Sequence, residues 1–248
     1  MFVIWGKKPV EAYLSVQKGA LPRGTKLNVV GTTFGDIQKK AQDKGAQIKK
    51  FSSSEDPQWP APMVHHQNVC LTVRDFHWEI PWEESIYDIE ERIKTHPKGC
   101  LGIYLHHVHD PQNMGSIFRS AVFFGVKFVF YPKNRQCPLT PAVLKVSSGA
   151  ALGLNCVNIG NTFQTLKAMK EMGIWIVGTS VDKSAIPVKD LPKDRPYVLV
   201  LGNEEQGLSS SLLDQCDYKV SINPPETPFF IDSLNVGVAA GIILNNLV

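Results

Sequence analysis

From residue 101 to the end, short apolar runs without polar alternation take turns with segments of helical spacing. Leu101–His106, Phe128–Tyr131, Val157–Ile159, Ile174–Thr179, Tyr197–Leu201 and Lys219–Ile222 read as strands. Gly115–Phe124, Pro141–Leu152, Phe163–Met172, Ser209–Gln215 and Asn235–Leu247 read as helices. A strand apolar throughout is buried on both faces, and strand–helix alternation puts helices on both sides of a parallel sheet. The predicted fold class is therefore α/β with a mainly parallel sheet. Ligands of such sheets bind beyond the carboxyl ends of the strands, so the loops following strands are where chemistry is expected.

Residues 1–74 read as a smaller α/β unit. Pro9–Gln17 and Gly35–Lys44 have helical spacing, Lys26–Val30, Gln47–Phe51 and Val69–Val73 read as short strands, and the Ser- and Pro-rich Ser52–Pro62 is loop. Between the halves, residues 75–91 carry seven acids and no Lys or Arg. Glu83–Lys94 has a helical face of Ile86, Ile89 and Ile93. This stretch is read as a linker with a solvated acidic face. The expected organisation is residues 1–74, an acidic linker 75–98, and a second domain 99–248.

The net charge of +3 conceals a division. Residues 1–50 hold ten basic residues and three acids, whereas residues 92–248 hold fifteen and eleven. Both segments are basic, which points to an anionic partner. Hydrophobic residues make up 43% of the chain, too many for a disordered one. No apolar run approaches the roughly 18 residues of a membrane span. The five cysteines (Cys70, Cys100, Cys137, Cys156, Cys216) form no C-x-x-C pair, which argues against a zinc knuckle and fits a reducing compartment. Met1–Gly6 is too short for a signal-peptide core.

Three loops stand out. His109–Arg119 follows a strand and opens a helix, with Asn113 near the helix start and Arg119 one to two turns further on. By itself this is an N-cap region with a surface arginine. In Leu201–Ser209, Gly202 and Gly207 have the spacing of a phosphate loop. Leu208 stands where lysine is required, and Glu204 and Glu205 would repel phosphate, so a P-loop is excluded. Ser221–Ala240 has three prolines before a helix, and Ser233 reads most simply as that helix's cap. His106, His107 and His109 lie together and His107 and His109 have strand spacing, yet no cysteine pair or His–carboxylate helix motif accompanies them, so no metal is expected.

Taken together the loops are far more specific. D-P-x-N-x-G-x-I-x-R-S-A followed by F-F-G, then L-V-L-G-N-E-x-x-G-L-S, then S-L-N-V-x-V-A-A-G-I, in that order, resembles the SpoU/TrmH family of RNA ribose methyltransferases in the SPOUT superfamily. The resemblance covers about residues 98–248. Ile4–Ala12 and His66-Gln67-Asn68 extend it to the ends of that family's ribosomal-protein-like substrate-binding domain. Asn134–Pro141 is similar to the branch that methylates guanosine in mitochondrial large-subunit ribosomal RNA.

The resemblance implies a C-terminal trefoil knot, S-adenosylmethionine as cofactor, ribosomal RNA as partner, a homodimer with the catalytic site across its interface, and a mitochondrial matrix or otherwise cytoplasmic location. It implies cofactor contacts from Thr179, Ser180, Gly202, Ile222 and Leu234. It makes Arg119 the catalytic residue, with Asn113 orienting Arg119 or the ribose, Glu204 supporting the site, and Ser233 and Asn235 completing it. The alternatives are the same chemistry on transfer RNA and a non-catalytic ribosome-assembly factor. Some positions depart from the family pattern. His106 and His107 replace a usual carboxylate and glycine, Asn68 replaces the glycine of H-Q-G, Gly237 stands where serine is common, and the loop before Ser233 is long and proline-rich.

Overall fold

A computed structural model describes every residue except 33, 62–65, 75, 77, 133, 135, 183, 204, 205, 223–232 and 248. The chain divides into two units, Met1–Trp78 with Leu139–Gly153, and Glu79–Pro138 with Leu154–Val248.

The first unit contains β1 (Phe2–Trp5), α1 (Lys7–Val16), β2 (Lys26–Val30), α2 (Gly35–Asp43), β3 (Gln47–Phe51) and β4 (Val69–Val73). Its sheet has the order β1-β4-β2-β3. β2 and β3 are parallel, and β4 runs antiparallel to both its neighbours. β1 is a strand the sequence reading missed, because four apolar residues at a terminus carry no periodicity. Its partner β4 is buried at all five positions. α1 turns Val10, Tyr13 and Leu14 into the core.

The second unit begins with β5 (Glu79–Pro81), α3 (Trp82–Thr95), β6 (Gly99–Leu105), α4 (Pro111–Phe123) and β7 (Phe128–Pro132). The chain then makes α5 (Pro141–Val146), which belongs to the first unit. It returns as β8 (Asn155–Ile159), α6 (Thr162–Glu171), β9 (Trp175–Thr179), β10 (Ile186–Pro187), β11 (Pro196–Leu201), α7 (Ser210–Leu213), β12 (Tyr218–Ser221) and α8 (Val236–Leu247). The sheet order is β10-β12-β9-β11-β6-β7-β8-β5. Every pair in it is parallel, as the unalternating apolar runs require. β11 is buried at all six positions and lies between β6 and β9. One face packs Phe128, Phe130, Val157, Leu166, Met169 and Ile176 into a single core with Ile89.

Three expectations change. The stretch 75–98 is not a linker. Phe76 packs tilted and Trp78 edge-on against Phe2, and Phe76 meets Tyr13 edge-on, in the first unit. Glu79–Pro81 adds an edge strand to the parallel sheet beside β8, and α3 buries Ile89 completely. Its acids occupy the outer face of an amphipathic helix. The helix expected over Pro141–Leu152 stops at Val146, because Ser148 takes a left-handed φ of 55°. A 3₁₀ turn, Ala150–Gly153, follows. The helix expected from Gly115 starts at Pro111, where Asp110 caps it and proline, lacking an N–H, suits the first turn.

Candidate active site

The loops after β6, β9, β11 and β12 leave the carboxyl ends of neighbouring strands, as predicted. Asp110 Oδ1 accepts from Gln112 N at 2.9 Å and fixes the start of α4. That puts Asn113 in the first turn, buried. The Asn235 side-chain amide donates to Asn113 Oδ1 at 2.7 Å. The Asn235 Oδ1 accepts from Gly237 N at 2.9 Å and Val238 N at 3.3 Å, capping α8. Asn235 is therefore the cap that Ser233 was expected to be. The two asparagines, 122 residues apart in sequence, tie the start of α4 to the start of α8.

Small residues allow these helices to approach. A Cβ on Gly237 would meet Ser116 Cβ and Oγ at 3.0 Å, so glycine suits this position where serine is common in the family pattern. Arg119 lies on α4 but not beside Asn113. Six residues at 100° each place it about 120° round the helix, and it is exposed.

On the other side of β6, Thr179 and Ser180 end β9, Gly202 follows β11, and Ile222 follows β12. Thr179 Oγ1 donates to Val200 O at 3.3 Å, and Ser180 N to Val220 O at 3.0 Å. Gly202 lies against the backbone of Gly207, and any Cβ there would collide with it. Asn203 and Gly207 exchange backbone hydrogen bonds at 2.9 and 3.2 Å, and Asn203 Oδ1 accepts from Gln206 N at 3.1 Å. Ser233 and Leu234 are exposed just ahead of α8. Glu204 lies outside the described residues.

An open cleft of about 920 Å³ lies beyond the ends of β6, β8 and β11, and of the residues expected to contact cofactor or substrate it is lined by Asn113. Its lining includes His106, His107, Asn113, Thr162, Phe163 and Asn203. Of these, sequence reasoning assigned only Asn113 to the site. Asn203 donates to His107 O at 3.1 Å. Tyr104 Oη lies 2.9 Å from Thr162 Oγ1 and 3.3 Å from His106 Nδ1. Burial first, then the charge of His107, pushes His106 down to about 4, so it is neutral at pH 7. Burial raises Tyr104 to about 12, with its hydrogen bond to Thr162 opposing. His107 has a left-handed φ of 60° at a position where the family pattern has glycine. The only available signal was the N-x-x-x-G spacing of Asn203 and Gly207, which reads as a turn. Among the described residues no group of three or more His, Cys, Asp or Glu could hold a metal. Nor is any described helix long and apolar enough to cross a membrane.

The SpoU rRNA methylase family matches residues 101–245, which include every described residue of this site. The chain belongs to that family. It is an RNA methyltransferase of the SpoU class. It is 35% identical over 180 residues to a TrmH family tRNA/rRNA methyltransferase homologue of Staphylococcus haemolyticus, covering 72% of this chain and 68% of that one. It is 34% identical over 194 residues to human mitochondrial rRNA methyltransferase 1, covering 73% and 53%. The crystal structure of the SpoU methyltransferase AviRb of Streptomyces viridochromogenes, in complex with AdoMet, has the same fold at 22% identity. Its TM-score is 0.73, with 99% of this chain and 88% of that one covered.

Proposed function

We propose that this member of the family transfers a methyl group from S-adenosylmethionine to the ribose 2′-hydroxyl of a guanosine in large-subunit ribosomal RNA. The observation that carries the reading is the Asn113–Asn235 bridge, which joins the first and third motif loops beside the ends of a parallel sheet. Relatives support the substrate: one 38% identical over 156 residues is a 23S rRNA (guanosine-2′-O-)-methyltransferase of Nitrosomonas europaea, covering 63% of this chain and 58% of that one. The human mitochondrial relative supports a mitochondrial matrix location.

The residues fit the cofactor. Thr179, Ser180, Gly202 and Ile222 lie at the ends of three adjacent strands, and the close packing of Gly202 on Gly207 fixes the turn that carries the β11 loop past them. Leu234 completes the set from the start of α8. S-adenosylmethionine supplies an electrophilic methyl on its sulfonium. The chain must then orient a poorly nucleophilic hydroxyl and ease loss of its proton. Arginine keeps its proton in proteins, so Arg119 acts by holding the neighbouring phosphate and stabilising alkoxide charge. Asn113, held by Asn235, orients the ribose, and Glu204 and Ser233 complete the site.

The exposure of Arg119 supports a shared site. Phe123, one turn beyond it, is 82% exposed. Leu234, Val238 and Ile242 form an exposed apolar stripe along the start and outer face of α8. A second copy covering this face, as in the family homodimer, would set each Arg119 beside its partner's cofactor. The C-terminal trefoil knot of the family is proposed with it, as is RNA binding by the basic first unit.

The test is tritiated methyl transfer with separate ribosomal and transfer RNA pools. Label entering large-subunit ribosomal RNA is expected. Label in transfer RNA alone, or in neither, overturns the substrate. Light scattering should give a dimer that Val238→Asp converts to monomers, and a wild-type monomer would contradict the shared site.

A further inference from the structure

Methyl transfer accounts for the asparagines, Arg119 and the strand ends, but not for the rings in the cleft. His106 and His107 are stacked, with ring centroids 4.0 Å apart and planes within 23°. Both are half-buried and line the cleft with Phe163, which is 47% exposed at the start of α6. The backbone that carries the ring pair is fixed at three consecutive residues. His106 N donates to Leu201 O at 2.8 Å, extending the sheet. Asn203 holds the His107 carbonyl in its left-handed turn. Gln136 then clamps Val108, accepting from its N at 3.0 Å and donating to its O at 2.8 Å.

The geometry points to a stacking platform: the His106–His107 pair, with Phe163 in the same cleft, receives the base of the nucleotide whose ribose is methylated, and a purine fills it best. This rests on the RNA methyltransferase reading. Proteins that recognise one nucleotide of an RNA by sequence read bases splayed out of the stack, and flat side chains replace the lost stacking. A neutral imidazole offers that face without the desolvation cost of a charged one, and His106 is neutral at pH 7. A base can stack on the outer face of the pair, and the fused rings of a purine cover that imidazole face more fully than a single pyrimidine ring does. The cleft is within the roughly 300–1,000 Å³ usual for such ligands. Family members with a carboxylate and glycine here lack the platform, so it belongs to this chain's departure from the pattern.

The experiment uses the full chain and guanosine 5′-monophosphate as probe, with cytidine 5′-monophosphate as control. Histidine ring protons are followed by NMR, alongside S-adenosylmethionine binding by calorimetry. The purine nucleotide should shift the His106 and His107 resonances saturably, and more than the pyrimidine. His107→Gly suits the left-handed backbone and removes only the ring. It should weaken the purine nucleotide and raise KM for RNA by about tenfold, leaving kcat within about twofold and cofactor affinity unchanged. His106→Phe should retain purine binding. Normal cofactor binding and methyl transfer with no purine-induced shift, or an unchanged KM in His107→Gly, overturns the platform and leaves the methyltransferase reading intact. Purine-induced shifts without cofactor binding overturn the methyltransferase reading and leave the platform standing.

Discussion

On one side of β6, the ends of β9, β11 and β12 present backbone, small residues and a tight glycine turn. On the other, the ends of β6 and β8 and the start of α4, closed by the loop after β11, present rings, amides and a carboxylate. The first side is shaped by the sheet itself, since strands buried on both faces fix where their ends emerge. The second depends on side chains that individual substitutions can exchange, and His106 and His107 depart from the family pattern there. Under the proposed function, the first wall would hold the ligand shared by the whole family, and the second would receive what distinguishes one member's target.

The comparison can be broken most sharply at Arg119, where Arg119→Ala should lower methyl transfer by more than about 100-fold with cofactor affinity unchanged. Calorimetry beside a turnover assay checks this, and an active variant removes Arg119 from the site. Gly202→Val is the converse. Its Cβ has no room beside Gly207, so cofactor binding should be lost and unfolding free energy should fall by about 1–3 kcal/mol. Undiminished cofactor binding would mean that the strand ends do not form that wall.

Asn235→Ala removes a helix cap and the partner of Asn113, and should cost about 1–2 kcal/mol in denaturant unfolding, with reduced turnover. A smaller effect concerns pH. His106 is held near 4 when folded, against about 6.5 unfolded, so the unfolded state binds the extra proton between those values. Stability is therefore fully present above about 6.5 and declines as pH falls towards 4. Tm should drop from pH 7 to pH 5, and His106→Phe should flatten that slope. The smallest effect is His107→Gly, which relieves a left-handed residue and should stabilise the fold by up to about 1 kcal/mol.

Much of this was legible in the sequence. Tyr197–Leu201 and Leu101–His106 read as buried parallel strands because apolarity on both faces leaves no other place for them. Asn113, Gly202 and Asn235 stood in motif loops. What could not be read is non-local. Glu79–Pro81, with an acid and a proline, has no strand signature of its own and becomes one only by adding to β8. The Asn113–Asn235 bond spans half the chain. The left-handed turn at His107 is invisible because histidine does not advertise it. The cap at Asn235 rather than Ser233 was settled by competition between two good capping residues, which only the position of α4 decides.

The most direct measurement is a map of ribose 2′-O-methylation in large-subunit ribosomal RNA, with and without the gene, complemented by wild type and by Arg119→Ala. The account predicts one guanosine that loses its 2′-O-methyl group on deletion, regains it with wild type and not with the variant. A ribosomal RNA map unchanged by deletion, or a lost methyl group on a base rather than a ribose, would contradict it.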